Sequence, residues 1–200
     1  MSDLNFNWPQ IQLPNASLHY VPDFIPRAVA DTLLDQLLAE LNWQQSHIQL
    51  FGRRVLEPRL TSWYADAGVV YGYSGRQLNA QAWPDCLHSL RTQLCSYAGH
   101  HFNAVLANLY RNGMDSMGWH SDDESSLGVE PIIASISLGA ERDFVLRRKD
   151  NHRIKHCLGL AHGSLLLMQA QTQHFWQHAL PRRKRITQPR VNLTFRLIKS

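Results

Sequence analysis

Apolar residues recur at three- and four-residue steps just after Pro26: Val29, Leu33, Leu34, Leu37, Leu38 and Leu41. That spacing places one apolar stripe along a helix, and a proline suits the first turn because its missing N–H has no partner there anyway. A second helix is predicted from about Pro84 to Ala98, with Gly99 as its stop. Ahead of the first helix, Pro9, Pro14 and Pro22 mark an extended arm. A hairpin is expected around Phe51-Gly52-Arg53-Arg54, the glycine supplying its turn, and Tyr64 to Gly75 reads as loops around a rim.

After Gly99 the period changes to two. Strands are predicted at Ala104–Tyr110, Ile132–Leu138, Asp143–Arg148, Ile154–Leu160, Ser164–Gln169 and Val191–Ile198. Two helices followed by a run of short strands fit an α+β domain in which helices buttress a β-sandwich or barrel. A double-stranded β-helix, the jelly-roll barrel, is the expected architecture.

The last strand has an unusual polar face. Val191, Leu193, Phe195 and Leu197 alternate with Arg190, Asn192, Thr194 and Arg196. A solvent face would more often mix charges, whereas this one carries two arginines and no acid. Arginine suits bidentate recognition of carboxylates. A second alternating run, Asn103 to Tyr110, puts Leu106, Asn108 and Tyr110 on one side.

Between those strands lie His120 and Asp122, with His178 far along the chain. In an extended segment positions i and i+2 share a face, so His120 and Asp122 can grip one ion while Ser121 turns away. Two imidazoles and one carboxylate form the facial set that suits non-haem Fe(II), leaving three positions on the metal open. By itself an H-x-D pair is weak, since eleven histidines are present and a core histidine is the commoner reading. The two downstream arginines point to a dianionic co-substrate beside the metal.

Composition sets the bounds. A 200-residue chain that is 44% hydrophobic and 18% charged is an ordinary globular domain, able to bury roughly 70% of its extended surface. The N-terminal residues lack a basic region followed by an apolar core, so no signal peptide is expected. No uninterrupted apolar run approaches the about 20 residues that span a bilayer. Cys86, Cys95 and Cys157 are odd in number and without C-x-x-C spacing, which favours a reducing compartment and argues against a disulfide framework. The chain is expected to be cytoplasmic in a bacterium or nuclear in a eukaryote, and not secreted. The net charge of +4 permits a polyanion partner without requiring one. Three basic clusters, Arg53-Arg54, Arg147-Arg148-Lys149 and Arg182-Arg183-Lys184-Arg185, could together follow a phosphate backbone.

Taken together, these pieces resemble the AlkB family of Fe(II)- and 2-oxoglutarate-dependent dioxygenases. The resemblance runs from about Phe51 to Ile198. Its anchors are Asn108-Leu-Tyr110, His120-Ser-Asp122-Asp-Glu124, Ala134-Ser-Ile-Ser-Leu-Gly139, His162-Gly-Ser-Leu-Leu, His178 and Arg190-Val-Asn-Leu-Thr-Phe-Arg196. The resemblance implies that His120, Asp122 and His178 hold iron. It implies that Asn108, Tyr110, Arg190, Asn192, Thr194 and Arg196 bind 2-oxoglutarate, without saying which arginine takes which carboxylate. The implied reaction consumes O2, converts 2-oxoglutarate to succinate and CO2, and removes an N-methyl group as formaldehyde.

The implied substrate is alkylated DNA, with damaged bases of the 1-methyladenine and 3-methylcytosine type. Such bases are cationic and pair poorly, which lowers the cost of flipping them out. Tyr71 and Tyr73 are expected to offer aromatic faces, and Asp123 and Glu124 carboxylates, to the flipped base. The chain is most similar to family members that repair duplex DNA. Leu50-Phe51-Gly52-Arg53 matches their hairpin finger, whose apolar residue fills the gap left by the base, and Pro58-Arg59 matches a DNA-contacting pair. One domain is therefore expected over 1–200: arm and helix at 1–49, nucleotide-recognition hairpins at 50–83, helix and jelly-roll core at 84–200. Duplex DNA is the expected partner and single strands a further one, with no membrane partner and a monomeric enzyme. An RNA demethylase of the same chemistry and a non-catalytic nucleic-acid-binding module are the alternatives.

Overall fold

The computed structural model describes residues 10–50, 52–73, 76–78 and 80–199. In chain order the first half runs β1 (Gln10–Ile11), β2 (Ser17–Val21), α1 (Arg27–Glu40), β3 (His47–Leu50), β4 (Arg53–Leu56), β5 (Leu60–Ala65), β6 (Tyr71–Tyr73) and β7 (Arg76–Leu78). The second half runs α2 (Asp85–Ala98), β8 (Ala104–Tyr110), β9 (Met117–His120), β10 (Ile133–Gly139), β11 (Arg142–Arg148) and β12 (Lys155–Leu160). It ends with β13 (Ser164–Gln169), α3 (Thr172–Phe175), β14 (Trp176–Leu180) and β15 (Arg190–Arg196).

The strands form a larger sheet in the order β1-β2-β13-β10-β15-β8-β5 and a smaller one in the order β12-β11-β14-β9. Every pairing in both is antiparallel. This is the expected jelly-roll core with helices against one face. Leu37 of α1 and Leu87, Leu90 and Leu94 of α2 pack on Val105, Ala107, Ile136, Leu193 and Phe195 of the larger sheet. The opposite face of that sheet meets the smaller one across Leu106, Ile133, Phe144, Leu146, Leu166 and Trp176. Helix α2 ends where expected, at Gly99 with φ 58°.

Three expectations need correction. The proline-marked arm contains β2, which pairs with β13 along five register positions and closes one side of the larger sheet. The tract read as rim loops holds the end of β5, where Trp63, Tyr64 and Ala65 are buried, and the β6–β7 hairpin. Strands therefore precede α2 as well as follow it. β5 completes the edge beside β8, and its adjacent aromatic residues Trp63 and Tyr64 conceal a two-residue period.

The most consequential element is β15. All seven of its residues are buried. Its odd positions meet the helices, and its even positions point between the sheets, so the polar face predicted from the alternation lines an interior cavity instead of water. Its register with β8 sets Arg190 beside Tyr110, Asn192 beside Asn108 and Thr194 beside Leu106. Gly139 of β10 is paired with Arg190 and has φ +85°. A Cβ there would lie 2.4 Å from the Pro189 carbonyl oxygen. Gly139→Ala is expected to lower stability by about 1–3 kcal/mol through left-handed strain alone, more with the clash, as read from the urea unfolding midpoint.

Candidate active site

His178 lies on β14, an interior strand of the smaller sheet, and is register partner to His120 on the edge strand β9. A register irregularity between His178 and Leu180 lets β9 end at His120, so Asp122 follows just beyond the strand. The ligand atoms of His120, Asp122 and His178 all lie within 4.8 Å of one another. The two imidazoles cross at 66° with ring centroids 4.2 Å apart, and Phe144 stacks beside His178 at 5.0 Å.

Each ligand is oriented by a neighbour. Nδ1 of His120 lies 2.9 Å from the Gly118 carbonyl. Donation to that oxygen fixes the tautomer and leaves Nε2 as the lone-pair nitrogen. The Asp122 amide donates to the Gln173 side-chain oxygen at 2.9 Å, and Arg196 donates to Asp122 Oδ1 at 2.6 Å. Burial raises the Asp122 carboxyl, but Arg196 and the two imidazoles outweigh it and hold the group well below the usual carboxylate range. Burial pushes the His178 imidazole down to about 3, with His120 adding to the effect, and burial lowers His120 too against the pull of Asp122. At neutral pH the set is thus one carboxylate and two neutral imidazoles, the protonation a divalent metal requires.

The cavity inside the sandwich is lined by this set together with Asn108, Tyr110, Arg190, Asn192, Thr194 and Arg196. The structure brings all six predicted co-substrate residues to one place. Arg190 is 2% exposed. It donates to Ser137 Oγ at 2.9 Å and lies 5.3 Å from the Tyr110 ring centre. Burial pushes it down to about 10, with Tyr110 partly offsetting the effect, so the guanidinium stays cationic. Its Nε is buried without a hydrogen-bond partner, and no acid pairs with it among the described residues. A buried cation without a counter-charge is costly, so this end of the cavity suits an anion. Asn192 is held by Ser135 Oγ and the Ile136 carbonyl, and its own oxygen accepts from Thr194.

A cleft of about 620 Å³ opens on the other side of His120, lined by Glu57, Arg59, Trp119, Glu124 and Arg182 among others. Two residues expected to contact the substrate have partners within the protein. Arg59 is 3% exposed, donating from Nε to Asn108 Oδ1 at 2.8 Å and from Nη2 to Glu57 at 3.2 Å. Its charge is engaged inside the wall between cleft and cavity, where a buried carboxylate compensates it, while the residue also lines the cleft. Asp123 turns outward to Lys149 at 2.9 Å, because that lysine offers a counter-charge in solvent, and it lines neither space. Glu124 does border the cleft. Tyr71 and Tyr73 lie on β6 with side chains outside the described part, and Phe51 lies outside the described residues.

Sequence reasoning missed Gln173, Ser135, Ser137 and Phe144, and it missed Arg142. That arginine is 1% exposed and donates to the backbone oxygens of Asn112, Asp115 and Pro181, which ties the loops around Tyr110. Only the serines carried a signal, since Ser135 and Ser137 alternate with apolar residues in a buried strand.

The sequence profile of the 2OG-Fe(II) oxygenase superfamily matches residues 17–196. The chain is 40% identical over 202 residues to the mouse DNA oxidative demethylase ALKBH2, covering 96% of this chain and 84% of that protein. The chain belongs to the AlkB family of 2OG-Fe(II) oxygenases. It is also 41% identical to human alpha-ketoglutarate-dependent dioxygenase alkB homolog 3, over 88% of this chain and 64% of that protein's length. The fold is shared with the solved structure of OsALKBH1, at a TM-score of 0.64 and 16% identity, covering 94% of this chain and all of that one. The protein is accordingly a dioxygenase whose cofactor is Fe(II) and whose co-substrates are 2-oxoglutarate and O2.

Arg59→Met removes the donor to Asn108 and leaves Glu57 buried without its partner. It is expected to raise the dissociation constant for 2-oxoglutarate roughly tenfold or more, since one hydrogen bond to a charged group amounts to about 1.5 kcal/mol or more. The expected loss of DNA affinity is smaller. Calorimetric titration with the co-substrate and filter binding of an oligonucleotide check the two arms.

Proposed function

We propose that this protein repairs DNA by oxidative demethylation of N-alkylated bases of the 1-methyladenine and 3-methylcytosine type. The observation that carries the reading is the junction at His120. On one side lies an interior cavity holding a buried arginine with no acid beside it, and on the other a wider cleft bordered by Glu124 and by the Glu57–Arg59 pair. The similarity to ALKBH2 supports the same reaction.

His120, Asp122 and His178 would hold the metal. When bound, Fe(II) with 2-oxoglutarate and O2 supplies hydroxylation of an N-methyl group, which leaves as formaldehyde while 2-oxoglutarate becomes succinate and CO2. Arg190 takes the distal carboxylate of 2-oxoglutarate, because it is the cation with no acid beside it. Arg196 is already bonded to Asp122 and steadies that ligand, offering its remaining face to the keto-acid end. Asn108, Tyr110, Asn192 and Thr194 shape the space between. Phe144, Leu160 and Met168 line the cavity with apolar surface.

In the cleft, Glu124 faces the positive charge of the methylated base, and the family resemblance assigns Tyr71 and Tyr73 as its aromatic contacts. Residues 50–83 form the nucleotide-recognition segment, with Phe51 at the finger. The enzyme acts as a monomer, in nucleus or cytoplasm, and takes single-stranded DNA as well as duplex. No helix among the described residues is long and apolar enough to cross a membrane.

Formaldehyde release from methylated duplex and single-stranded DNA and RNA tests the assignment. Strong preference for single-stranded RNA over both DNA forms would favour the RNA reading. Phe51→Ala is expected to reduce turnover of duplex more than of single strands, and equal loss on both removes the finger. Asp122→Asn is expected to weaken Mn(II) binding, read by electron paramagnetic resonance, at least tenfold. Arg190→Met is expected to raise the KM for 2-oxoglutarate more than tenfold while leaving Mn(II) affinity within about twofold, given the usual cost of an unpaired charged partner.

A further inference from the structure

The cleft beside His120 adjoins a second one, of about 450 Å³, over the outer face of the smaller sheet. Ser116, Met117, Gly118, Trp119 and Arg182 border both. Trp119 precedes His120 on the edge strand β9, so its indole points away from the metal set and stands between the two spaces.

Their chemistry differs. The first cleft contains the Glu124 carboxylate, which suits a cationic base, beside the Glu57–Arg59 pair, whose charges answer one another. The second contains no carboxylate: beyond the shared residues it is lined by Val145, Ala179 and Pro181. Its polar resources are the half-buried indole and the exposed Arg182, which has no acidic partner among the described residues. The indole is also braced. The Arg147 guanidinium lies 4.2 Å from its ring centre, and Nε and Nη2 of that arginine both donate to Gln177 Oε1, at 3.0 and 2.8 Å. Arg147 and Gln177 are register partners across β11 and β14, so the sheet itself fixes the brace.

We infer that the second cleft is a subsite for the nucleotide flanking the lesion, with its base stacked on Trp119 and the intervening phosphate at Arg182. This rests on the demethylase reading and adds to it a contact that the flipped base does not make. An aromatic platform accepts any base, because every base has a π face. An apolar cleft with one free cation matches a neutral base and a phosphate. The cleft that holds Glu124 matches the charged lesion.

The test uses the iron-loaded full chain and methylated single-stranded trinucleotides in which the base on one flank, then the other, is replaced by an abasic residue. Wild-type kcat/KM is expected to fall roughly five- to 100-fold for one of the two abasic positions, the range that loss of one base–aromatic stack gives. Trp119→Leu is expected to turn over the intact trinucleotide at the wild-type abasic rate and to be indifferent to that abasic change. Trp119→Phe is expected to keep most of the sensitivity. Wild-type indifference to both abasic positions, or undiminished sensitivity in Trp119→Leu, overturns the subsite and leaves the demethylase reading standing. Failure of the wild type to release formaldehyde from any methylated oligonucleotide overturns the demethylase reading itself, and the subsite with it.

Discussion

A guanidinium carried into a protein interior must be matched there, because the cost of removing it from water far exceeds what packing returns. Strand β15 carries two, at Arg190 and Arg196, both at most 4% exposed. The rest of the active site is arranged around how each is matched. Arg196 has Asp122, at 2.6 Å, and the pairing keeps that carboxylate ionised between two neutral imidazoles. Arg190 has the Tyr110 ring and the Ser137 hydroxyl and no acid, so its charge is only partly answered by the protein. One arginine stabilises a metal ligand; the other leaves a demand that an anionic co-substrate meets.

The same economy explains the wall between cavity and cleft. Glu57 and Arg59 are each 3% exposed, and they pair with one another while Arg59 also holds Asn108. The wall is therefore polar yet closed, and it joins the surface that receives a base to the pocket that receives the co-substrate. On the cleft side Glu124 is the acid that the Glu57–Arg59 pair does not answer, and on the cavity side Arg190 is the cation with no acid beside it.

How far the site could be read from sequence depended on whether its residues shared an element. Arg190, Asn192, Thr194 and Arg196 stand on one face of one strand, so strict alternation revealed them, and Asn108 with Tyr110 followed by the same rule. His120 and Asp122 were legible from spacing, whereas His178 needed the family resemblance, since nothing in its neighbourhood marks a ligand. What period two could not show was that both faces of β15 are covered. The partners of Arg59 and Asp123 were hidden for a related reason: Asn108 and Lys149 lie 49 and 26 residues away. The fold was legible where periods were long, in α1, α2 and β8, and where an apolar run was unbroken, in β13. It was obscured at β2 and β5, where prolines nearby and bulky aromatics hid short strands.

The seven consecutive register pairs between β15 and β8 carry an implication for how such a protein can change over time. Side chains alternate with a period of two, so gaining or losing one residue there would turn both arginines toward the helices and put Val191 and Leu193 in the cavity. Between those two arrangements lies no workable compromise. Insertions and deletions are thus barred from this stretch as long as the enzyme is needed, while hairpins and loops at the rim are free to lengthen or shorten. New substrate preferences in this scaffold should accordingly arise at the rim, around an interior whose reading frame is locked.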